Sequence, residues 1–225
     1  MQQTKTNPLV TRWVIYLVGM VSLVAGLTLN TKTGLGAAAI VSVAHTISLC
    51  TGFTLGNISL VTYVLFIAAQ FVLKGSKRNW LDLLQLVVSV VFTRVMDFMK
   101  AAVTYQSGQS LVSDLLLLVL AIVLTGTGAA MVLSMELIPN PADGIVNALS
   151  MRSGKEVGIC KSCFDIVNVA ASFLIGLFNG NALMGIGIGT VISMLCIGRY
   201  ISIFNKFFRH KLRAAAGLEE PVTAA

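Results

Sequence analysis

Residues 138–150 read IPNPADGIVNALS, and this stretch decides how the rest of the chain is interpreted. It places an aspartate, two asparagines and two prolines between long apolar segments. Within lipid, backbone that leaves the regular helix is tolerated only where protein buries it or where it lines a cavity. We therefore expect the functional site at this interruption.

The composition around this stretch is that of a polytopic membrane protein. Of 225 residues, 56% are hydrophobic and only 11% are charged, whereas soluble domains carry roughly 25% charged residues. The mean hydropathy is +0.87. The net charge of +7 comes largely from basic residues at the ends of apolar segments, which fits positive-inside topology better than nucleic-acid binding. The expected partner is the lipid bilayer, and no nucleic-acid motif is present.

The fold class expected is an all-α polytopic membrane protein with six transmembrane helices and two short half-helices. At about 20 residues per crossing, the predicted spans are Arg12–Leu29, Leu55–Leu73, Trp80–Phe98, Leu111–Met135, Val157–Phe178 and Leu183–Phe204. The two short segments are Gly36–Cys50 and Pro141–Met151. All eight belong to a single membrane domain covering residues 1–225, in which 214–225 form a tail that is predicted to be disordered.

The two halves of the chain match at a constant offset of 102 residues. Gly26 aligns with Gly128, and the pattern Ser-x3-Gly-x3-Gly that begins at Ser48 recurs at Ser150. The order of segments is also the same in both halves: long, short, long, long. The sequence therefore predicts an internal repeat, with repeat one over about 12–100 and repeat two over about 111–206.

Three spans per repeat make the second half enter the membrane from the opposite side, provided that each short segment dips in and returns. The positions of the basic clusters test this arrangement. If the N-terminus is cytoplasmic, four clusters of basic residues lie on the cytoplasmic side. They are Lys5 and Arg12; Lys74, Lys77 and Arg78; Arg152, Lys155 and Lys161; and Arg199, Lys206, Arg209, Lys211 and Arg213. Lys32 and Lys100 are the exceptions outside. If Gly36–Cys50 crossed fully, the second cluster would lie outside, against the positive-inside rule. The prediction is two inverted repeats with both termini cytoplasmic.

Polar groups inside the second short segment are the first functional candidates, because such groups are costly at membrane depth. Asp143 and Asn147 are four residues apart, so they share one face of a helix that starts near Pro141, and Asn140 precedes that start. The alternative role for Asp143 is structural, since a carboxylate in the first turn complements the helix dipole.

Further candidates lie on other segments. His45 aligns with Asn147 and is the only titratable group of the first short segment; its alternative role is a hydrogen-bonded packing residue. Span five carries Asp165, four residues after Lys161, with Asn168 one turn further. Arg94 and Asp97, three apart in span three, either contribute to the site or form a self-contained ion pair.

No catalytic or metal site is expected. The chain has no Ser-His-Asp arrangement, no paired carboxylates for catalysis and no histidine-rich set, so we expect neither an enzyme nor a cofactor. Cys160 and Cys163 match C-x-x-C, but without a second pair this spacing is weak evidence for zinc or redox chemistry. The run Gly185-x-Gly187-x-Gly189 follows no strand and is interpreted as close helix packing. Glycine-rich faces leave a homo-oligomer open.

The residues that carry a family resemblance are Gly26, Asn30, Thr33-Gly34-Leu35-Gly36, the turn Thr51-Gly52-Phe53-Thr54-Leu55-Gly56, Pro141-Ala142-Asp143-Gly144, Ala148-Leu149-Ser150 and Gly154-x3-Gly158. On these residues the chain resembles the YczE/YyaS/YitT group of bacterial integral membrane proteins, from about Arg12 to Phe204. The resemblance implies the cytoplasmic membrane of a bacterium and supplies no substrate. The first half departs from the group at Ala37-Ala38-Ala39, where a second Pro-containing element is often found.

Two functions follow as hypotheses. The first is a small-solute membrane transporter or channel with a central site between the two short helices. Asp143 and Asn147 would contact a small polar or charged solute or a coupling cation, with Asp165 and Asn168 behind them. The alternative is a non-transporting membrane scaffold or assembly partner, for which the cytoplasmic face at Arg152–Lys161 and the basic C-terminus would matter more.

Overall fold

The computed structural model of the protein describes residues 7–77, 79–108 and 110–218, and this part of the chain forms eight α-helices and no strand. The helices are α1 (Pro8–Lys32), α2 (Ala39–Thr51), α3 (Leu55–Lys74), α4 (Leu84–Ala102), α5 (Leu111–Met135), α6 (Pro141–Ser153), α7 (Val157–Phe178) and α8 (Ile188–Ala215). Short 3-10 turns at Gly75–Lys77 and Trp80–Leu83 lie between α3 and α4.

Five of these helices, α1, α3, α5, α7 and α8, are long and apolar enough to cross a membrane by length and composition. Their outward faces expose large apolar side chains such as Leu17, Leu65 and Leu116, as lipid-facing helices do. The helix α4 has a comparable length but carries Arg94 and Lys100 as well as an aspartate. The chain is therefore all-helical and has the features of a multi-pass membrane protein.

Most predicted segments agree with the helices, but the third and the last spans differ. The predicted span Trp80–Phe98 corresponds to a 3-10 turn followed by α4, which begins at Leu84 and ends at Ala102. Residues 183–187 form a turn, so the final helix begins at Ile188 and not at Leu183. It also continues through Ala215, past the predicted start of the disordered tail, because Leu212 and Ala216 pack against the hydrophobic core. Residues 219–225 of that predicted tail lie outside the described residues.

The two short helices, α2 and α6, have the same length and end in the same turn. Each has 13 residues and is followed by a glycine, Gly52 or Gly154, in the left-handed conformation. The serine four positions before each glycine bonds the carbonyl five positions after itself: Ser48 Oγ donates to Phe53 O at 2.8 Å, and Ser150 Oγ donates to Lys155 O at 2.6 Å. This geometry explains why the Ser-x3-Gly pattern occurs in both halves.

Antiparallel packing of α1 against α5 forms the centre of the molecule. Ser22 Oγ donates to Leu124 O at 2.9 Å, while Arg12 near the start of α1 donates to Met135 O at the end of α5 at 2.8 Å. A Cβ added to Gly26 would collide with the α5 backbone. The absence of a side chain there lets the two backbones approach closely.

The short helices pack against long helices from the other half of the chain. Helix α2 packs on α7, and α6 packs on α3; α1 and α5 are flanked by α4 and α8 respectively. The outer pairs differ, however. Helix α3 packs along α4, whereas α7 and α8 make few direct contacts and are separated by two cavities.

Candidate functional site

A cavity of about 380 Å³ lies where both short helices begin. Its wall contains Ala38, Ala39 and Ile40 at the start of α2, and Asn140 and Asp143 at the start of α6. Most of the remaining wall is apolar and comes from α1, α5, α6, α7 and α8: Leu23, Leu27, Ala129, Leu133, Val146, Val157, Met194, Ile197 and Ile201. The polar side chains are few: Thr125, Asn140, Asp143, Asn147, Lys161, Asp165, Ser193 and Ser202.

The start of α6 is fixed by its own sequence. Pro141 occupies the first turn, where its missing N–H needs no partner, and the Asn140 side chain caps the helix by accepting a hydrogen bond from Ala142 N at 3.0 Å. An asparagine in this position closes one of the open backbone donors at a helix start. Because Asn140 provides the capping hydrogen bond, Asp143 is not needed for it.

Two glutamines from neighbouring helices hold this start in place. Gln70 of α3 and Gln85 of α4 are fully buried and bond each other through both amide groups at 3.2 Å. Gln70 Nε2 also donates to Pro141 O at 3.0 Å. A Cβ at Gly144 would collide with the Gln70 amide, so the glycine of the Pro-x-Asp-Gly element leaves room for that amide. Sequence reasoning missed both glutamines, although amide side chains inside predicted spans were a signal for them.

Asp143 reaches the cavity from this braced turn. Its side chain is half-buried and, within the described part of the chain, forms neither a hydrogen bond nor an ion pair. Asn147, one turn further, lines the same cavity with an exposed side chain. A carboxylate in an apolar wall with no protein partner is available to a ligand.

The opposite wall supplies a second carboxylate and an ammonium group. Asp165 of α7 is only 6% exposed; its Oδ2 lies 3.8 Å from Lys161 Nζ, and its Oδ1 has no hydrogen-bond partner among the described residues. Lys161 also attracts the Asp143 carboxylate electrostatically. Thr125 of α5 has a buried hydroxyl that likewise lacks a partner in the described region.

Four of the eight predicted site residues, Asn140, Asp143, Asn147 and Asp165, therefore line one cavity. His45 is buried within α2 and does not line it. Asn168 donates to Phe164 O in its own helix at 2.8 Å and borders a separate cavity between α2, α3 and α7.

Arg94 and Asp97 also lie away from this cavity, and they form the ion pair that was the alternative expectation for them, at 3.7 Å. The Asp97 carboxylate accepts hydrogen bonds from Thr54 Oγ1 at 2.8 Å and Gly56 N at 2.7 Å. These contacts make Asp97 an anchor for the start of α3.

The start of α2 is positioned by the glycine run before α8. Ala37 N donates to Gly185 O at 2.9 Å, and Gly189 N donates to Leu35 O at 2.8 Å. A Cβ at Gly187 would collide with the Leu35 carbonyl. Residues 185–187 precede α8, so the interpretation of this run as helix packing was wrong: the glycines permit backbone contact between the loop before α2 and the loop and first turn at the start of α8.

The described residues contain no group of three or more His, Cys, Asp or Glu side chains that could hold a metal ion. Cys160 is buried beside Ser153, whereas Cys163 is exposed, and both are free thiols.

Comparison with known proteins gives one match. The model of a family of unknown function (DUF6198) matches residues 10–206. No curated protein and no solved structure matches the chain. The matched description does not include the YczE/YyaS/YitT name, and that resemblance stays a prediction.

Proposed function

Since this chain belongs to a family of unknown function (DUF6198), we propose its function from its own geometry: a small-solute membrane transporter or channel whose site is the cavity at the starts of α2 and α6. The proposal depends mainly on the environment of Asp143. This residue is a carboxylate without a protein partner, held by a capped and braced helix start in the wall of an apolar cavity. Ionisable groups in such settings mark solute and ion pathways in membrane proteins.

The proposal includes two inverted repeats, with α4 as the sixth span. Reciprocal contacts between α1 and α5 support it. Gly26 lies against Ala121 and Thr125, and Gly128 lies against Gly19 and Leu23. At an offset of 102 residues, Gly26 is equivalent to Gly128, Ala121 to Gly19 and Thr125 to Leu23. The two contacts are therefore equivalent, as a two-fold relation between the halves requires.

The braces of the two short helices follow the same relation. Gln70 contacts Gly144 between α3 and α6, and at the equivalent positions Ser172 Oγ of α7 donates to Ser42 Oγ of α2 at 2.8 Å. In the α3–α6 contact the large side chain of Gln70 faces Gly144, and in the α7–α2 contact the small side chains of Ser172 and Ser42 meet. Each half thus braces the short helix of its counterpart.

The topology proposed for these repeats has both termini in the cytoplasm of a bacterial cell. Arg12 binds Met135 O, and Arg213 forms an ion pair with Glu136, so the start of α1, the end of α5 and the end of α8 lie at one end of the bundle. That end is rich in basic residues, which favours the cytoplasmic side. In this orientation the α7 residues that line the cavity lie in the cytoplasmic half of that helix, and the α8 residues that line it lie in the middle and first half of α8.

An access route is suggested by the difference between the outer helix pairs. The α3–α4 pair is closed by the Gln70–Gln85 hydrogen bonds and by the rings of Tyr63 and Phe92, 5.9 Å apart. The equivalents of that ring pair are Asp165 and Met194, and both line the open cavity between α7 and α8. We propose that solute enters between α7 and α8. We also propose that closing the α7–α8 pair and opening the α3–α4 pair exposes the site to the opposite side of the membrane, as in other inverted-repeat carriers.

Counterflow into proteoliposomes tests the function. The vesicles would be loaded in turn with small amines, amino acids, sugars and alkali cations, and uptake of the labelled equivalent measured. We expect uptake of at least one class, reduced about tenfold or more in Asp143→Asn because the unpartnered carboxylate is lost. The matched control is Glu156→Gln, which alters an exposed carboxylate beside α7 that does not line the cavity.

Failure of every probe class with folded protein would contradict transport. Copurification of one stoichiometric membrane partner, together with absence of flux, would favour the scaffold function. Equal uptake by the wild type and Asp143→Asn would remove Asp143 from the mechanism.

A further inference from the structure

The chemistry of the cavity, taken as the site of the proposed function, narrows its ligand. Its wall carries two carboxylates, Asp143 and Asp165, and one ammonium, Lys161. When all three are ionised, one negative charge has no counter-charge. The two carboxylates also repel each other electrostatically. We propose that the cavity binds a small molecule with a primary ammonium group on an apolar body, and that this ammonium lies between the two aspartates.

Three acceptors in the wall have no partner in the described residues: the Asp143 carboxylate, Asp165 Oδ1 and Thr125 Oγ1. Asp165 and Thr125 are 94–96% buried, with 6% and 4% of their surfaces exposed. Buried polar atoms in folded proteins are nearly always hydrogen-bonded. A primary ammonium has three N–H donors and no acceptor, so such a group is suited to a site whose carboxylate oxygens lack partners.

The apolar part of the wall favours an organic cation over a divalent metal ion as the ligand. Divalent cations require six or more oxygen ligands or retain their water, and much of the wall consists of Leu23, Leu27 and Leu133 with Ile197 and Ile201. These side chains offer no oxygen. They suit a hydrocarbon body attached to the ammonium group.

The volume of the cavity and the side chains that line it indicate the size and the type of the ligand. A cavity of about 380 Å³ is at the low end of the range of about 300–1,000 Å³ for small-molecule sites, which indicates a ligand with few carbon atoms. None of the described side chains that line the cavity is aromatic, whereas quaternary ammonium groups are recognised by aromatic faces. A primary amine therefore fits better than a methylated one.

The start of α2 faces the same cavity and has no capping side chain at Ala38. The partial positive charge of a helix start suits a carboxylate. A ligand that carries a carboxylate beside its ammonium group, such as an apolar amino acid, is therefore included in the test.

The test measures the affinity of the full-length purified protein by thermal-shift titration with five probes. These are 3-methylbutylamine, leucine, the isosteric alcohol 3-methylbutan-1-ol, tetramethylammonium and sodium chloride. We expect 3-methylbutylamine or leucine to raise the Tm saturably, and the alcohol, tetramethylammonium and sodium to leave it unchanged. In Asp143→Asn the Kd for the amine rises about tenfold or more, while Glu156→Gln keeps the wild-type Kd.

Asp143→Asn removes no hydrogen bond or ion pair formed with the described residues, so we expect this variant to fold, and an unchanged Tm without ligand checks it. Equal stabilisation by the alcohol and the amine, or an unchanged Kd in Asp143→Asn, would overturn the proposal. Binding of the amine without any flux would contradict transport and retain the amine site. Flux of a sugar with no amine binding would support transport and overturn the amine site.

Discussion

Within the Pro-x-Asp-Gly element, each residue has a separate structural role. Pro141 begins α6 and offers its carbonyl to Gln70, Gly144 leaves room for the same glutamine, and Asp143 projects into the cavity. The sequence alone indicated that this element would be buried or line a cavity, because lipid tolerates no other arrangement. It did not indicate Gln70 or Gln85, since their pairing joins two helices and depends on packing that no local pattern encodes.

Replacing Gln70 tests the brace. In Gln70→Leu the Gln85 amide and the Pro141 carbonyl lose a partner in a fully buried setting, and we expect the free energy of unfolding to fall by about 1–3 kcal/mol. The double variant with Gln85→Leu removes both amides, so its loss is smaller than the sum of the two single losses. Equilibrium unfolding of the four proteins gives the comparison. Additive losses would show that the two amides do not interact.

At the scale of whole elements, the bounds of α2, α5, α6 and α7 could be predicted closely from turn chemistry and apolar length. The start of α8 could not. Residues 183–187 are apolar enough to continue a helix, and only the folded structure shows that the Leu35 carbonyl and Gly189 amide bond there. Likewise, the role of Asp97 at the start of α3 depends on a contact with Gly56, on another helix.

The contact between α1 and α5 makes a prediction about its glycines. In Gly128→Ala the new Cβ would collide with the α1 backbone at Leu23, and we expect a loss of about 1–3 kcal/mol in unfolding free energy. Gly158→Ala is the matched control, because no atom outside its own helix backbone and chain neighbours lies within 4 Å of the added Cβ. Alanine at that helical position should stabilise by about 0.5–1 kcal/mol. A lower Tm for Gly128→Ala together with a higher Tm for Gly158→Ala would support the close packing of α1 against α5. Equal changes in Tm for the two variants would contradict it.

At the scale of the molecule, the two halves use equivalent positions differently. The four residues Ser59, Tyr63, Phe92 and Met96 of repeat one have Lys161, Asp165, Met194 and Gly198 as equivalents in repeat two. The first set fills the space between α3 and α4 with a buried cluster, and the second set lines the open cavity. The 102-residue offset predicts a repeat, but it does not predict which half carries the cavity, because this depends on how α7 and α8 are spaced.

We propose that the two halves are related and that the cavity between them is open on the α7–α8 side and closed on the α3–α4 side. Thiol labelling tests this difference directly. Gly198 lines the cavity, and its equivalent Met96 is fully buried. In a background with Cys50, Cys160, Cys163 and Cys196 replaced by serine, Gly198→Cys and Met96→Cys would be treated with a membrane-impermeant maleimide on either side of the membrane. We expect rapid labelling of Gly198→Cys from the cytoplasmic side and protection of Met96→Cys from both sides. Equal labelling of the two cysteines, or labelling of Gly198→Cys from the outer side alone, would contradict it.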